Sequence, residues 1–363
     1  MSRLNRAEMQ EHNRAKVLTA ARKEFAERGF REAKIDAIAE RAELTRGAVY
    51  SNFPGKRALY FAVLAEDAER WVSEYRPDPG RTSREALGEF ARAWVARSPL
   101  TTDDTDAAWL GRDLIPEVLA DDQTRRAFAQ LMSLSALLLG LSLEGMESGR
   151  RRVHTAEAAL TTLYGASQLA AAAPGFVDPF NVISTCEQLA DLEFDDVWEP
   201  PHLPYVAPAR PTNEPWAPPP ATDALSRQPA PLTGDGIVAV LGLHRVGAVE
   251  EAVRAAPSGV DITVAIVSGA PYELAPLTRL VVAELRTCLH QAFPGRALPP
   301  LRVVIDDSGS LATAAGVHAV SDATEVAVRL ASGRIVARSE GHGACHAAAS
   351  VENPGPPHSG RRR

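Results

Sequence analysis

Twelve consecutive residues, Thr45-Arg46-Gly47-Ala48-Val49-Tyr50-Ser51-Asn52-Phe53-Pro54-Gly55-Lys56, constrain this chain more than any other stretch. A hydroxyl residue opens a short helix, because its side chain can accept an otherwise unpaired backbone N–H. Pro54 and Gly55 stop that helix after Phe53. Upstream, Val17, Ala21 and Phe25 recur every four positions, with Leu18 seven before Phe25. This is the apolar stripe of a helix whose other faces carry Arg14, Lys16, Arg22, Lys23 and Glu24. Gly29 after Arg28 predicts its end, since glycine takes the left-handed conformation cheaply. Ile35, Ile38 and Ala39 form the buried face of a second helix ending near Ala42, and Glu43 and Leu44 make the turn. Short helix, tight turn and capped helix together spell a helix-turn-helix, the unit that lays one helix in a DNA major groove.

Side-chain chemistry assigns roles on that helix. Arg46 offers two donors to guanine O6 and N7, and Ser51 or Asn52 can meet a base or a phosphate. Gly47 and Ala48 allow the backbone close to the groove floor, with Thr45 as the cap. Tyr50, Lys56 and Lys34 fall to phosphates, which fix register without reading sequence. Charge agrees. The chain of 363 residues is acidic, net −7, which argues against wholesale coating of nucleic acid. Residues 1–56 nevertheless hold twelve Lys or Arg against eight Asp or Glu, a local net of +4. Such a patch suits a site-specific binder.

The block from Arg14 to Leu64 resembles the DNA-binding domain of the TetR family of one-component regulators, on the Thr45-to-Lys56 motif quoted above. Two residues depart from the family pattern. Ala33 stands where the family usually has a Thr or Ser that caps the second helix and touches phosphate. Glu43 stands where the turn usually has glycine, and so asks a bulkier residue to take a strained backbone. The resemblance implies a ligand-released repressor, acting as a homodimer on an inverted-repeat, double-stranded DNA operator. It also implies a small hydrophobic effector enclosed by the helices that follow.

Those helices are readable from Arg57 to Asp191. One begins at Leu59 and runs through Trp71 to about Tyr75. A second spans Arg84 to Arg97, and Trp109 to Leu119 follows the acidic loop Pro99 to Asp106, which reads as solvated. A long helix from Arg125 to Ser148 is apolar on most of its circumference and must be buried between neighbours. Two more, about Thr155 to Ala173 and Asp178 to Leu192, resemble the family's final, dimer-forming helix pair, with Leu160, Leu163, Tyr164, Ser167 and Ala171 on one side. Trp71, Phe90, Trp94, Trp109 and Met132 are the candidate lining of an effector pocket.

The expected organisation is multidomain. Residues 1–56 form the helix-turn-helix and 57–192 an all-α ligand-binding and dimerisation domain. Residues 193–232 form an extended proline-rich linker, 233–350 an α/β domain and 351–363 a flexible tail. In the α/β part, strands are expected at 237–243, 262–267 and 301–305, with helices at 246–256, 276–292 and 310–315. A hairpin turning at Ser332-Gly333 completes it. The order resembles the thioredoxin-like fold over roughly Gly236 to Ala349, without its redox chemistry. Ser268 to Leu274 holds no cysteine where a low-pKa thiolate is required, and the proline expected before the hairpin is missing. The resemblance therefore implies partner binding, oligomerisation or sensing.

Cys186, Cys288 and Cys345 are too few and too scattered for a disulfide framework. His342, Cys345 and His346 supply at most three zinc ligands, so no metal and no cofactor are expected. No run of some eighteen uninterrupted apolar residues is present and the N-terminus lacks the apolar core of a secretory signal, so a cytoplasmic protein with no membrane partner is expected. The main reading is a non-enzymatic regulator. An architectural or partner-recruiting DNA-binding protein is the alternative, and a thiol oxidoreductase fused to a DNA-binding module the weaker one.

Overall fold

The computed structural model describes residues 6–71, 78–98, 110–147, 149–201 and 203–351. Two compact units emerge, a helical one and one built on a sheet. In the helical unit α1 (Arg6–Glu32) changes direction at Gly29, whose φ of 70° and ψ of 173° lie outside the helical region. The glycine thus breaks the helix where the sequence placed the break, and a final turn continues to Glu32. Next come α2 (Ile35–Arg41) and α3 (Arg46–Asn52). Between them Glu43 takes φ 55°, the left-handed conformation expected of a turn that usually holds glycine. A left-handed L-residue costs about 1–2 kcal/mol, and glycine gives back some of that as chain entropy. Glu43→Gly is therefore expected to stabilise the protein by about 0.5–1 kcal/mol in urea unfolding. An unchanged or lower midpoint would show that the strain is offset locally, for instance by Lys16, which lies 4.0 Å from Glu43.

Helix α4 (Lys56–Arg70) ends earlier than the expected Tyr75, which lies outside the described residues. Thr82 caps α5 (Ser83–Val95) by accepting from the Glu85 N–H. A 3₁₀ turn at Gly111–Asp113 leads into α6 (Leu114–Leu119). Helix α7 (Asp122–Met146) starts at an Asp121 cap. By length and composition it could cross a membrane, but Leu131, Leu134, Leu137, Leu138 and Leu139 are all buried inside the unit. The all-round apolar surface is a core helix. Then come α8 (Val153–Ala172) and α9 (Pro179–Leu189), the latter capped by Asp178. The face carrying Leu160, Leu163, Tyr164 and Ser167 points inward: both leucines are buried, and Tyr164 packs edge-on against Trp94 and Phe128. The exposed apolar side chains of this pair are Leu169, Phe176 and Phe180.

Residues 199–232 correct the expectation of a free linker. Arg210–Pro215 forms an edge strand, β1, paired antiparallel with a later strand. Trp216 is buried and its indole N–H donates to the Leu232 carbonyl at 2.6 Å. Prolines are tolerated there because an edge strand leaves one side of its ladder unpaired. Strand β2 (Gly236–Gly242), α10 (Val249–Ala255) and β3 (Asp261–Val267) follow within the sheet unit.

The chain then leaves the sheet. Helix α11 (Pro271–Ala292), expected to cover the α/β domain, belongs to the helical unit, where it packs on α4, α5 and α7. Its apolar residues lie on more than one face, with Leu274, Leu277, Leu280, Val281, Leu285 and Leu289 all buried. Local periodicity identifies such a helix correctly but does not say which core receives it. The chain returns at β4 (Leu301–Ile305), followed by α12 (Ser310–Ala314), β5 (Glu325–Ala331), β6 (Arg334–Glu340) and α13 (Ala344–Ala349). Ser332 and Gly333 turn the β5–β6 hairpin with φ of 50° and 72°, the doubly positive pair that a two-residue hairpin loop favours. The sheet runs β1-β6-β5-β2-β3-β4, with β2, β3 and β4 parallel and the others antiparallel.

Candidate nucleic-acid interface and internal cavity

Helix α3 is fixed by its inner side and free on its outer side. Val49 and Phe53 are buried and anchor it, whereas Thr45, Arg46, Gly47, Tyr50 and Ser51 face solvent. The Thr45 hydroxyl accepts from the Ala48 N–H at 3.2 Å, as its position at the helix start predicts. Arg46 lies 3.3 Å from Asp36 and 5.6 Å over the Tyr50 ring. A hydrogen bond to Tyr50 and then the Asp36 charge raise its pKa, so the guanidinium is fully charged. Ser51 Oγ and Asn52 Nδ2 both donate to the Ala48 carbonyl at 2.9 Å. A Cβ at Gly47 would meet only the Thr45 hydroxyl at 3.9 Å. The fold therefore does not require glycine at that position.

The remaining assigned cations differ. Lys34 is exposed at the start of α2, where no side chain caps the helix; the neighbouring Ala33 is buried. Lys56 instead donates to the carbonyls of Arg31 and Ala33 at 3.1 and 3.0 Å and lies 4.5 Å over the Phe30 ring. Two of its three donors thus close the end of α1 against α4. The buried Glu24 gathers Arg28 and Arg41, each at 3.3 Å, and so ties α1 to α2.

A line of packed side chains runs from this block into the helical unit. Phe25, Phe30, Tyr60 and Phe61 pack as a chain of rings with centroids 5.1–6.1 Å apart. The Tyr60 hydroxyl donates to the Leu110 carbonyl, and its burial pushes its pKa well above the usual tyrosine range. The Asp113 carboxylate accepts from the Phe30 N–H at 2.8 Å, just past the kink at Gly29. Arg22 meets both Asp67 oxygens at 2.9 and 3.0 Å.

Gly111, Arg112, Leu114, Ile115 and Asp67 also line a cavity of about 260 Å³. Of the aromatic residues expected around an effector, Trp71 and Trp94 line it, and Met132 borders a second, more open cleft beside Tyr164. Phe90 is fully buried and lines neither, which corrects its assignment. Trp109 lies outside the described residues. Arg97, Leu280 and Glu284, not expected from the sequence, are also in the wall. The two on α11 carry no local signal that assigns them to this unit.

Among the described residues no cluster has the makings of a metal site. His342 Nδ1 lies 3.0 Å from an Arg245 nitrogen, and Cys345 is buried. Burial pushes the Cys186 and Cys288 thiols up to about 12 and Cys345 well above its usual value. These thiols lack the thiolate character that thiol–disulfide chemistry requires.

Comparison with known proteins agrees with this geometry. The family described as "Bacterial regulatory proteins, tetR family" matches residues 17–63. The HTH-type transcriptional repressor KstR of Rhodococcus jostii is 30% identical over 131 residues, covering 34% of this chain and 61% of the relative. The HTH-type transcriptional regulator SrpR of Pseudomonas putida is 39% identical over 80 residues, 22% of this chain and 37% of the relative. The chain thus spans less than two thirds of either. A solved TetR transcriptional regulator from Rhodococcus sp. RHA1 aligns at 17% identity with a TM-score of 0.34, over 51% of this chain and 95% of that one. Residues 17–63 therefore match the tetR-family model, and the two relatives are named as a transcriptional repressor and a transcriptional regulator.

Proposed function

We propose that the protein is a sequence-specific transcriptional repressor, acting as a homodimer on an inverted-repeat operator and released by an effector bound in the cavity of the helical unit. The observation that carries this reading is the shared segment 111–115: Gly111, Arg112, Leu114 and Ile115 line the cavity, and Asp113 between them accepts from the Phe30 backbone N–H at the end of the first helix. A ligand that shifts this wall acts on the block that carries α3. On α3, Arg46 reads bases, with Ser51 and Asn52 beside it once they exchange the Ala48 carbonyl for DNA. Tyr50, Lys34 and the Thr45 end take phosphates, and Lys56 keeps its strut role while its remaining donor faces the backbone. The exposed Leu169 on α8, Phe180 on α9 and Phe176 in the turn between them supply the apolar surface a two-fold partner would cover. In the sheet unit, β6-β5-β2-β3 with an antiparallel hairpin beside a parallel pair supports the thioredoxin-like reading, with a binding role and no redox chemistry.

The decisive experiment is selection of bound fragments from genomic DNA, followed by a compound screen for release. No enrichment of any inverted repeat at moderate salt would overturn the repressor reading. Gly47→Ala separates fold from function. The added methyl has room, and alanine's better helix propensity is expected to raise stability by up to about 1 kcal/mol. Operator affinity should nonetheless fall at least several-fold, because the methyl lies where the groove floor approaches. Unchanged affinity, measured by fluorescence anisotropy, would mean that this face stays out of the groove.

A further inference from the structure

The cavity is apolar in the main, yet one acidic side chain opens into it with only a long ion pair to answer its charge. Leu280 and Glu284 stand one turn apart on α11, and both line the space. The nearest countercharge to Glu284 is Arg97, whose Nη2 lies 3.5 Å from Oε1, the outer limit of a hydrogen bond. Arg97 is itself shared: it reaches the Glu284 carbonyl at 3.5 Å and lies 5.3 Å over the Trp71 ring. The other carboxylate in the wall, Asp67, is already neutralised by Arg22 on both oxygens. Around Glu284 the walls are aromatic. Trp94 is pinned by its indole N–H to Ser167 Oγ at 3.3 Å and meets Tyr164 edge-on at 4.7 Å.

We propose that this cavity takes an organic cation, an amine or quaternary ammonium on an apolar body, with Glu284 as its counter-ion and Trp94 and Tyr164 as aromatic walls. The proposal rests on the effector reading above and names the ligand class for the same cavity. Three classes of ligand compete on physical grounds. A neutral apolar molecule fills the space but strips water from Glu284 and gives nothing back, which costs free energy. An anion would have to draw Arg97 from Glu284, or Arg112 from Asp113 3.7 Å away, and would then sit beside the Glu284 and Asp67 carboxylates in a low-dielectric space. A cation adds the second positive charge that the loosely paired carboxylate lacks, and ring faces attract it further. Burial raises the Glu284 pKa, and Arg97 only partly reverses the effect. The groups around Glu284 are Arg97 in the turn after α5, Tyr164 on α8 and Cys288 one turn along α11. The tyrosine and the thiol have pKa values pushed above their usual ranges and stay neutral, so Glu284 is the member of this cluster that loses its charge as pH falls.

The test uses the full chain and three probes, each titrated calorimetrically: benzyltrimethylammonium, its uncharged isostere neopentylbenzene, and an aromatic anion of similar size, 4-tert-butylbenzoate. The cation is expected to bind roughly 10- to 100-fold more tightly than the isostere, from coulombic attraction to Glu284 and to the ring faces in a partly desolvated space. Glu284→Gln should collapse that ratio towards one. In the unaltered chain, cation affinity should fall as pH drops through the raised Glu284 pKa, since protonation removes the counter-ion, while the isostere shows no such fall. This arm depends on no variant folding. Equal binding of cation and isostere, a preference for the anion, or a ratio that survives Glu284→Gln would overturn the cation proposal. If Leu280→Trp, which fills the space, then abolishes isostere binding, the effector cavity itself stands. Absence of binding by all three probes would remove both readings.

Discussion

A chain cut after Trp198, where the first continuous segment of the helical unit ends, six residues past the boundary at 192 expected from the sequence, is expected not to form a stable helical unit. The cut removes α11, which supplies core to α4, α5 and α7 from a point beyond β3. Leu274, Leu277, Leu280, Val281, Val282, Leu285 and Leu289 are each 3% exposed or less. Burying aliphatic side chains of this size contributes about 1.5–3 kcal/mol apiece, on the order of 10–20 kcal/mol gross for the set. A domain's whole net stability is only about 5–15 kcal/mol. The loss is twofold, because α4 and α5 would also expose the apolar faces that α11 covers. Residues 1–198 should therefore be recovered as aggregate or as a species that melts without cooperativity by circular dichroism. In the full chain, Leu277→Ala should cost about 2–5 kcal/mol. A cooperative melt of residues 1–198 within a few degrees of the full chain would refute the placement of α11.

That placement marks where the sequence stopped being legible. The helix-turn-helix could be read because each of its signals is local: Thr45 caps within three residues, Gly29 breaks its own helix, and Val17, Ala21 and Phe25 recur at a helical period. The strands and the Ser332-Gly333 hairpin were readable for the same reason. Helix α11 was found, but its partner was not, because an apolar helix in water gains equally from any complementary core. Proline richness misled over residues 199–232. A strand with many prolines cannot sit inside a sheet, yet it can close an edge, and Trp216 with Leu232 then buries the return. Of the aromatic residues expected around an effector, Trp71 and Trp94 line the cavity and the buried Phe90 does not. The charged wall, Arg97 with Glu284, joins residues 187 positions apart, a pairing that no local pattern encodes.

Arg46→Ala is expected to reduce affinity for the selected operator by roughly 10- to 100-fold per half-site, the usual worth of a bidentate guanine pairing. On the proposed two-fold dimer both half-sites are weakened, so the combined loss approaches about 100- to 10,000-fold when the halves act independently. Binding to a shuffled duplex should change far less, because base reading and phosphate holding are separate interactions. The exposed pairing with Asp36 at 3.3 Å does not stand in the way, since a solvated ion pair of this kind is easily exchanged for DNA. Asp36→Asn should in fact tighten both duplexes by removing a negative charge near the backbone. Lys34→Ala should weaken both alike and flatten the dependence of log affinity on log salt by about 0.9 for each phosphate the lysine neutralises. Lys56→Ala should behave differently from Lys34→Ala, because it also releases the carbonyls of Arg31 and Ala33 and so lowers the melting temperature of the block. Anisotropy titrations at three salt concentrations, with operator and shuffled duplex side by side, separate these outcomes. If Arg46→Ala keeps the full operator-to-shuffled ratio, α3 does not read bases through its first residue, and sequence preference has to come from duplex shape.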